Sequence, residues 1–317
     1  MIRMKNIDQN MPENRWEYSI SSPQPPRTKA LKRKKQRCRI FQFIGIIIVL
    51  CGLFLFYLQA RFGSLRNGFA AMRQPISAFL FPSYDNLPDH YDPFQSPTAQ
   101  ALSLFAKDRM RFTASELAQA KREPAAIEFL IRLKNKQTPA NWNHQINLPS
   151  EHMHANKYPH FVQWDERWGF GDYAGGAFGE TGCGPTCLSM AYTGLTGKTD
   201  YPPDIMGEFA TENAYAVDGV GTAWALMEDG ARQLGLQSES LGLDLAIFQD
   251  ALDGGKVLVL SLGPGDFTKS GHFILVYKYE GEMLEILDPF NLALGSKRWS
   301  FEDIASQTAA VWALCLF

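Results

Sequence analysis

Hydrophobic and polar positions divide the chain into unlike parts. Ile40–Ala60 reads IFQFIGIIIVLCGLFLFYLQA, with Gln42 and Gln59 its only strongly polar side chains. Twenty-one helical residues rise about 31 Å, close to the roughly 30 Å of bilayer hydrocarbon. A helix lying on a soluble core would keep one polar face, and this run has none. The pattern predicts an uncleaved transmembrane helix at 40–60, because the 39-residue leader is longer than a signal peptide's and no A-x-A site follows. Residues 61–98, with the string FPSYDNLPDHYDPF, predict an irregular stalk. A helical spacer is expected over 99–150, its helices a short subdomain packed on the main domain. Leu102, Leu104 and Phe105 share one side of its first helix, and Ser115 is a candidate cap for ASELAQAKR. Pro124 interrupts that helix, and Ile127, Phe129, Leu130, Ile131 and Leu133 then form an apolar strip. Residues 137–160 return to loop character.

Residues 151–317 predict a domain with helices first and strands after. One helix opens at Cys183, buries Leu188, Met190, Ala191 and Leu195, and ends at Gly197. Further helices are expected near Asp204–Asn213, Thr222–Leu234 and Asp244–Leu252. Strands are expected at 257–262 (VLVLSL), 272–279 (HFILVYKY), 283–288 (MLEILD) and 310–317 (AVWALCLF). That order argues α+β with an antiparallel sheet. Cys315, in the last strand, is expected in the core.

Composition separates the halves further. The chain has 317 residues, 45% hydrophobic and 20% charged, which suits one to three domains. Residues 1–150 carry 22 Lys/Arg against 10 Asp/Glu, a net of +12, and residues 151–317 carry 9 against 23, a net of −14. The acidic half argues against nucleic acid as a partner. The basic excess clusters before the span, at Lys29, Lys32, Arg33, Lys34, Lys35, Arg37 and Arg39. By the positive-inside rule the polar, proline-dotted tail 1–39 is cytoplasmic and everything after Arg61 is extracellular. Three cysteines, Cys183, Cys187 and Cys315, fall in the exported part and cannot all pair within one chain. His152, His154 and His160 lack a ligand-spaced Cys or carboxylate cluster and are expected to be surface histidines, with neither metal nor cofactor implied.

The chemistry concentrates in 161–290. In ETGCGPTCLSMAYTG, Cys183 sits in the first turn of a helix, where unpaired N–H groups and the helix dipole favour an anion. Cys187, one turn on, suits burial. In SGHFILVYKYEGEMLEILDPF, two strands turn at Gly281, so His272 starts one and Asp288 ends the other. An antiparallel hairpin makes those ends neighbours, the arrangement of a base and its orienter.

GCGPTC before an apolar helix, GHF opening a strand, and a strand ending in DP resemble the papain-like cysteine peptidases. The likeness is greatest to the bacteriocin-processing (double-glycine leader) peptidase-like family. QWDERW, GTAW at Gly221–Trp224 and the Trp299 of KRWS resemble that family's exported members. The resemblance covers about residues 160–317. It implies Cys183 as nucleophile, His272 as general base and acid, and Asp288 as the residue orienting the imidazole. It also implies a papain-like α+β fold, with the nucleophile helix packed on an antiparallel sheet and the active site in the cleft between them. Many relatives place the oxyanion glutamine six residues before the cysteine, where this chain has Ala177. Gln163 then becomes the expected donor, with the Cys183 N–H.

The function expected is a membrane-anchored, extracytoplasmic cysteine peptidase acting on peptide or isopeptide bonds through a thioester, with a peptide or protein as substrate. The alternatives are a papain-like acyltransferase using the same triad and a non-catalytic surface-binding module. The single span and the lack of a nucleotide motif separate this chain from the ATP-driven exporters that carry the bacteriocin-processing enzymes.

Overall fold

A six-stranded antiparallel sheet organises the domain. Its strands are β1 (Leu236–Ser240), β2 (Val257–Leu262), β3 (His272–Glu280), β4 (Met283–Leu287), β5 (Trp299–Ser300) and β6 (Thr308–Leu316). They lie in the order β5-β4-β3-β2-β6-β1. The computed structural model describes residues 87, 90–137, 146–155 and 157–317, all within the compact unit Ala78–Phe317. The expected tail, membrane span and most of the stalk lie outside the described residues. Among these residues no helix is long and apolar enough to cross a membrane.

The apolar run of β2, broken only by Ser261, is explained by its position. Strands flank it on both sides, helices cover both faces, and all six of its residues are buried. On one face lie helices α4 (Cys183–Thr196) and α5 (Pro203–Glu212). There Leu188, Met190, Ala191 and Met206 join Val257, Val259, Leu275 and Trp312 in one core. On the other face α6 (Leu245–Asp253), capped by Asp244, packs Phe248 and Ala251 against Leu258, Leu260, Ile274 and Val276.

Helix α4 owes its existence to this packing. It contains Gly184, Pro185 and Gly194, and a helical glycine costs roughly 1 kcal/mol relative to alanine. Each large apolar side chain it buries contributes roughly 1.5–3 kcal/mol in return. Pro185 falls in the first turn, where no intrahelical N–H is lost, and Gly197 ends the helix in the left-handed region at φ 70°.

The segment before the sheet domain is built into it. Helices α1 (Ala99–Lys107), α2 (Ala114–Arg122) and α3 (Ile127–Asn135) bury Leu104, Ala120, Phe129, Leu130 and Ile131. Those residues share a core with Val162, Trp164 and Phe290 of the sheet domain. Residues 90–98, expected to end a stalk, also pack here. The Tyr91 hydroxyl donates to the Trp164 carbonyl, its backbone N–H donates to Glu166 at 3.1 Å, and Phe94 stacks on His152. Thr113, not Ser115, caps α2, in a reciprocal box with Glu116.

Other departures are local. The helix expected near Thr222–Leu234 starts a few residues later, after a strand pair (Ala216–Val217 with Gly221–Thr222), and runs as a π-helical stretch, Leu226–Gly230, into a short α-helix, Ala231–Gln233. Cys315 is half-buried rather than in the core. His160 is buried rather than on the surface, whereas His152 is exposed and His154 half-buried.

Candidate active site

Cys183 is the first residue of α4, so its N–H has no acceptor within the helix. Gly184 permits a close approach here. A Cβ on it would lie 2.5 Å from Thr222 Oγ1 and 2.6 Å from Thr222 Cβ, so the Gly221–Thr222 strand can press against the helix mouth. Cys187, one turn later, is fully buried, and burial first, then the charges of Cys183 and Asp288, push its thiol well above the ordinary range. A thiol so placed stays protonated and unreactive.

The hairpin of β3 and β4 forms with Gly281 at its turn (φ 60°) and a bulge between Glu285 and Ile286. Its register pairs Leu287 with Leu275, which sets Asp288 beside the start of β3. The His272 Nε2–H donates to Asp288 Oδ1 at 2.8 Å. The same oxygen accepts the backbone N–H groups of Phe290 (2.8 Å) and Asn291 (3.0 Å). Burial alone would raise the Asp288 pKa, but the His272 imidazole and these two N–H groups hold it below the usual carboxylate range. Burial works against charge on His272 as well. Asp288 outweighs it, with a hydrogen bond to Cys183 adding to the effect, and the pKa is pushed up to about 10. The imidazole is therefore cationic at neutral pH, with the thiol beside it.

His160 was not picked out as functional from the sequence. It is 4% exposed, and its Nε2–H donates to the Asp288 backbone carbonyl at 2.8 Å. Burial is the main reason its pKa falls to about 4, so it is neutral when it makes this bond. No sequence pattern links it to a carbonyl 128 residues away. Asn291 was also missed, although its place just after Asp-Pro-Phe in a turn was a usable signal.

Gln163 is 2% exposed. Its backbone N–H donates to the Pro289 carbonyl at 2.8 Å, and its Nε2 donates to the Gly179 carbonyl at 3.0 Å. The buried Trp164 and Trp168 fix the QWDERW segment, their indole N–H groups donating to the carbonyls of Phe290 and Val162. Gln163, Cys183 and His272 line one cavity of about 690 Å³. A second, of about 790 Å³, also borders Cys183 and His272 and reaches Trp224. All four expected residues thus meet: three face a shared cleft and Asp288 stands behind the imidazole.

Trp224 is half-exposed at that cleft and donates to Ser261 Oγ at 3.0 Å, whereas Trp299 is buried against Phe267. Among the described residues no group of three or more His, Cys, Asp or Glu side chains is placed to hold a metal ion.

No curated protein matches the chain. Among solved structures, the peptidase domain of Streptococcus ComA, a bi-functional ABC transporter involved in a quorum sensing pathway, is similar at 18% identity. That likeness has a TM-score of 0.34 and covers 43% of this chain and 93% of the other. The Peptidase_C39 like family profile matches residues 155–315, more than half of the chain and the sheet domain from Gln163 to Cys315 of β6. The chain therefore belongs to the Peptidase_C39 like family and is a cysteine peptidase.

Proposed function

We propose that this cysteine peptidase hydrolyses peptide or isopeptide bonds with Cys183 as nucleophile, His272 as general base and acid, and Asp288 as orienter. The observation that carries the reading is the 2.8 Å bond from His272 to Asp288 beside a helix-mouth thiol in one cleft. Cys183 acts as the thiolate, its proton already held by the cationic His272, and Sγ attacks the substrate carbonyl carbon. The oxyanion is held by the Cys183 N–H and Gln163. One N–H of the Gln163 amide is engaged by Gly179, and the other is the donor proposed for the cleft. As the C–N bond breaks, His272 protonates the departing amine and a thioester remains. Water then attacks the thioester, His272 takes its proton, and the C–S bond breaks to release the acid and restore the thiolate.

The enzyme is proposed to be anchored by Ile40–Ala60 with residues after Arg61 outside the cell, a reading supported by the basic cluster before the span.

Turnover of a quenched fluorescent peptide library by the full chain tests the chemistry. Cys183→Ala should abolish cleavage, His272→Ala should come close to doing so, and Cys187→Ser should keep most activity. Cleavage surviving in Cys183→Ala but lost in Cys187→Ser would misplace the nucleophile.

A further inference from the structure

The family-matched stretch begins at residue 155, yet α2 lies wholly before it and borders both cavities beside Cys183. Ser115 and Gln119 line both cavities, and Ala118, Lys121 and Arg122 line the smaller one. The spacing 115, 118, 119 and 122 is i, i+3, i+4, i+7, a single stripe along the helix. Glu116 and Ala120 are buried on the other side, with Leu117 packed against the same core as α1 and α3. The helix is therefore held by one face and lends the other to the cleft. Its Glu116 is tied to Lys134 of α3 by a 2.8 Å ion pair, which fixes its rotation.

The end of the same helix grips the two loops that carry His272 and Asp288. Arg122 Nη1 donates to the Phe267 carbonyl at 2.7 Å, in the loop leading to His272, and its guanidinium lies 5.3 Å from the Phe290 ring centre. The Arg122 carbonyl accepts from Asn291 Nδ2 at 2.6 Å, and Glu123 accepts the Leu292 N–H at 2.7 Å. Since the Asn291 N–H donates to Asp288 Oδ1, three bonds lead from the helix to the imidazole: Arg122 to Asn291, Asn291 to Asp288, Asp288 to His272. Glu123 is 5% exposed and makes no ion pair among the described residues. Burying a carboxyl group without a cation is costly unless hydrogen bonds offset the lost hydration, and Glu123 accepts the Ala125 and Leu292 N–H groups. The Leu292 bond fixes the chain just after Asp288.

We infer that residues 114–123, outside the family-matched stretch, form the third wall of the substrate cleft and set which peptides reach Cys183, with Arg122 and Glu123 as positioning residues for His272 and Asp288. The substrate chain passes between the Ser115–Gln119 stripe and the opposite wall at Thr222 and Trp224. This rests on the triad reading given above.

Ser115 and Ala118 are exposed, so a tryptophan at either is tolerated by the fold and stands in the cleft. Turnover of the quenched fluorescent peptide library should fall about 10-fold or more in Ser115→Trp and Ala118→Trp, while alkylation of Cys183 by the much smaller iodoacetamide stays within about twofold of the parent. Arg122→Ala should lower kcat and narrow the pH profile on its basic side, and Arg122→Lys, which restores one donor, should recover part of both. Parental turnover and unchanged peptide preference in both tryptophan variants would overturn the wall. Parental kcat and pH profile in a folded Arg122→Ala would overturn the positioning role, and if that variant does not fold, Glu123→Gln is read in the same way. Cys183→Ala serves as the control. If it still cleaves, the triad reading is at fault; if it is inactive while the tryptophan variants are unaffected, only the present inference fails.

Discussion

Replacing Asp288 with asparagine isolates the charge that governs His272. One carboxylate oxygen already accepts all three donors, from His272, Phe290 and Asn291, and the other is buried without a partner. An asparagine can turn its carbonyl oxygen to the same three donors, so the geometry is kept and the negative charge is lost. Without it burial dominates, and the His272 pKa falls from about 10 toward or below its ordinary 6.5. The consequence for stability follows from linkage. In the parent the folded value lies above the unfolded one. The contribution is therefore complete below pH 6.5, declines as the pH rises, and is gone above about 10. Each pH unit within that window is worth about 1.4 kcal/mol, so the parent's advantage over Asp288→Asn should shrink by roughly 3 kcal/mol between pH 6 and pH 9. Urea unfolding followed by tryptophan fluorescence at several pH values measures this, and groups common to both proteins cancel in the difference. A stability gap that stays constant from pH 6 to pH 9 would refute the coupling.

Two other outcomes are expected. Gln163→Ala should lower kcat by about 10²–10³ with little change in KM if its amide serves the oxyanion; unchanged kcat would leave Gln163 as a tie to Gly179 only. Protease added to intact cells should remove a C-terminal epitope and spare the tail before Ile40, whereas an epitope protected until lysis would reverse the proposed topology.

What could be read from the sequence depended on how local its cause was. Strands β2, β3, β4 and β6 are apolar, β-rich runs, and each was found within two residues of its observed ends. Strand β1 reads LQSES and was missed. It is an edge strand held by backbone pairing to β6, and Leu236 is its only buried side chain. Cys183, His272 and Asp288 were legible because a helix mouth and a hairpin turn are short-range features. The cap of α2 is Thr113 rather than the candidate Ser115, and the Thr113–Glu116 box is legible in the sequence. Arg122 and Glu123 look like ordinary surface charges at the end of a helix. Their role arises from contacts 145 and 169 residues away, which no local pattern encodes. His160 is similar: its partner is a backbone carbonyl, which carries no sequence signature.

The central claim is that the Cys183 thiol is made reactive by His272. Site-resolved alkylation of the full chain by iodoacetamide at neutral pH, read by peptide mass mapping, tests it most directly. Half-buried Cys315 and fully buried Cys187 act as internal standards. Cys183 should be labelled far faster than either, and His272→Ala should bring it down to the rate of Cys315. Labelling of Cys183 no faster than Cys315, or no slower in His272→Ala, would contradict the account.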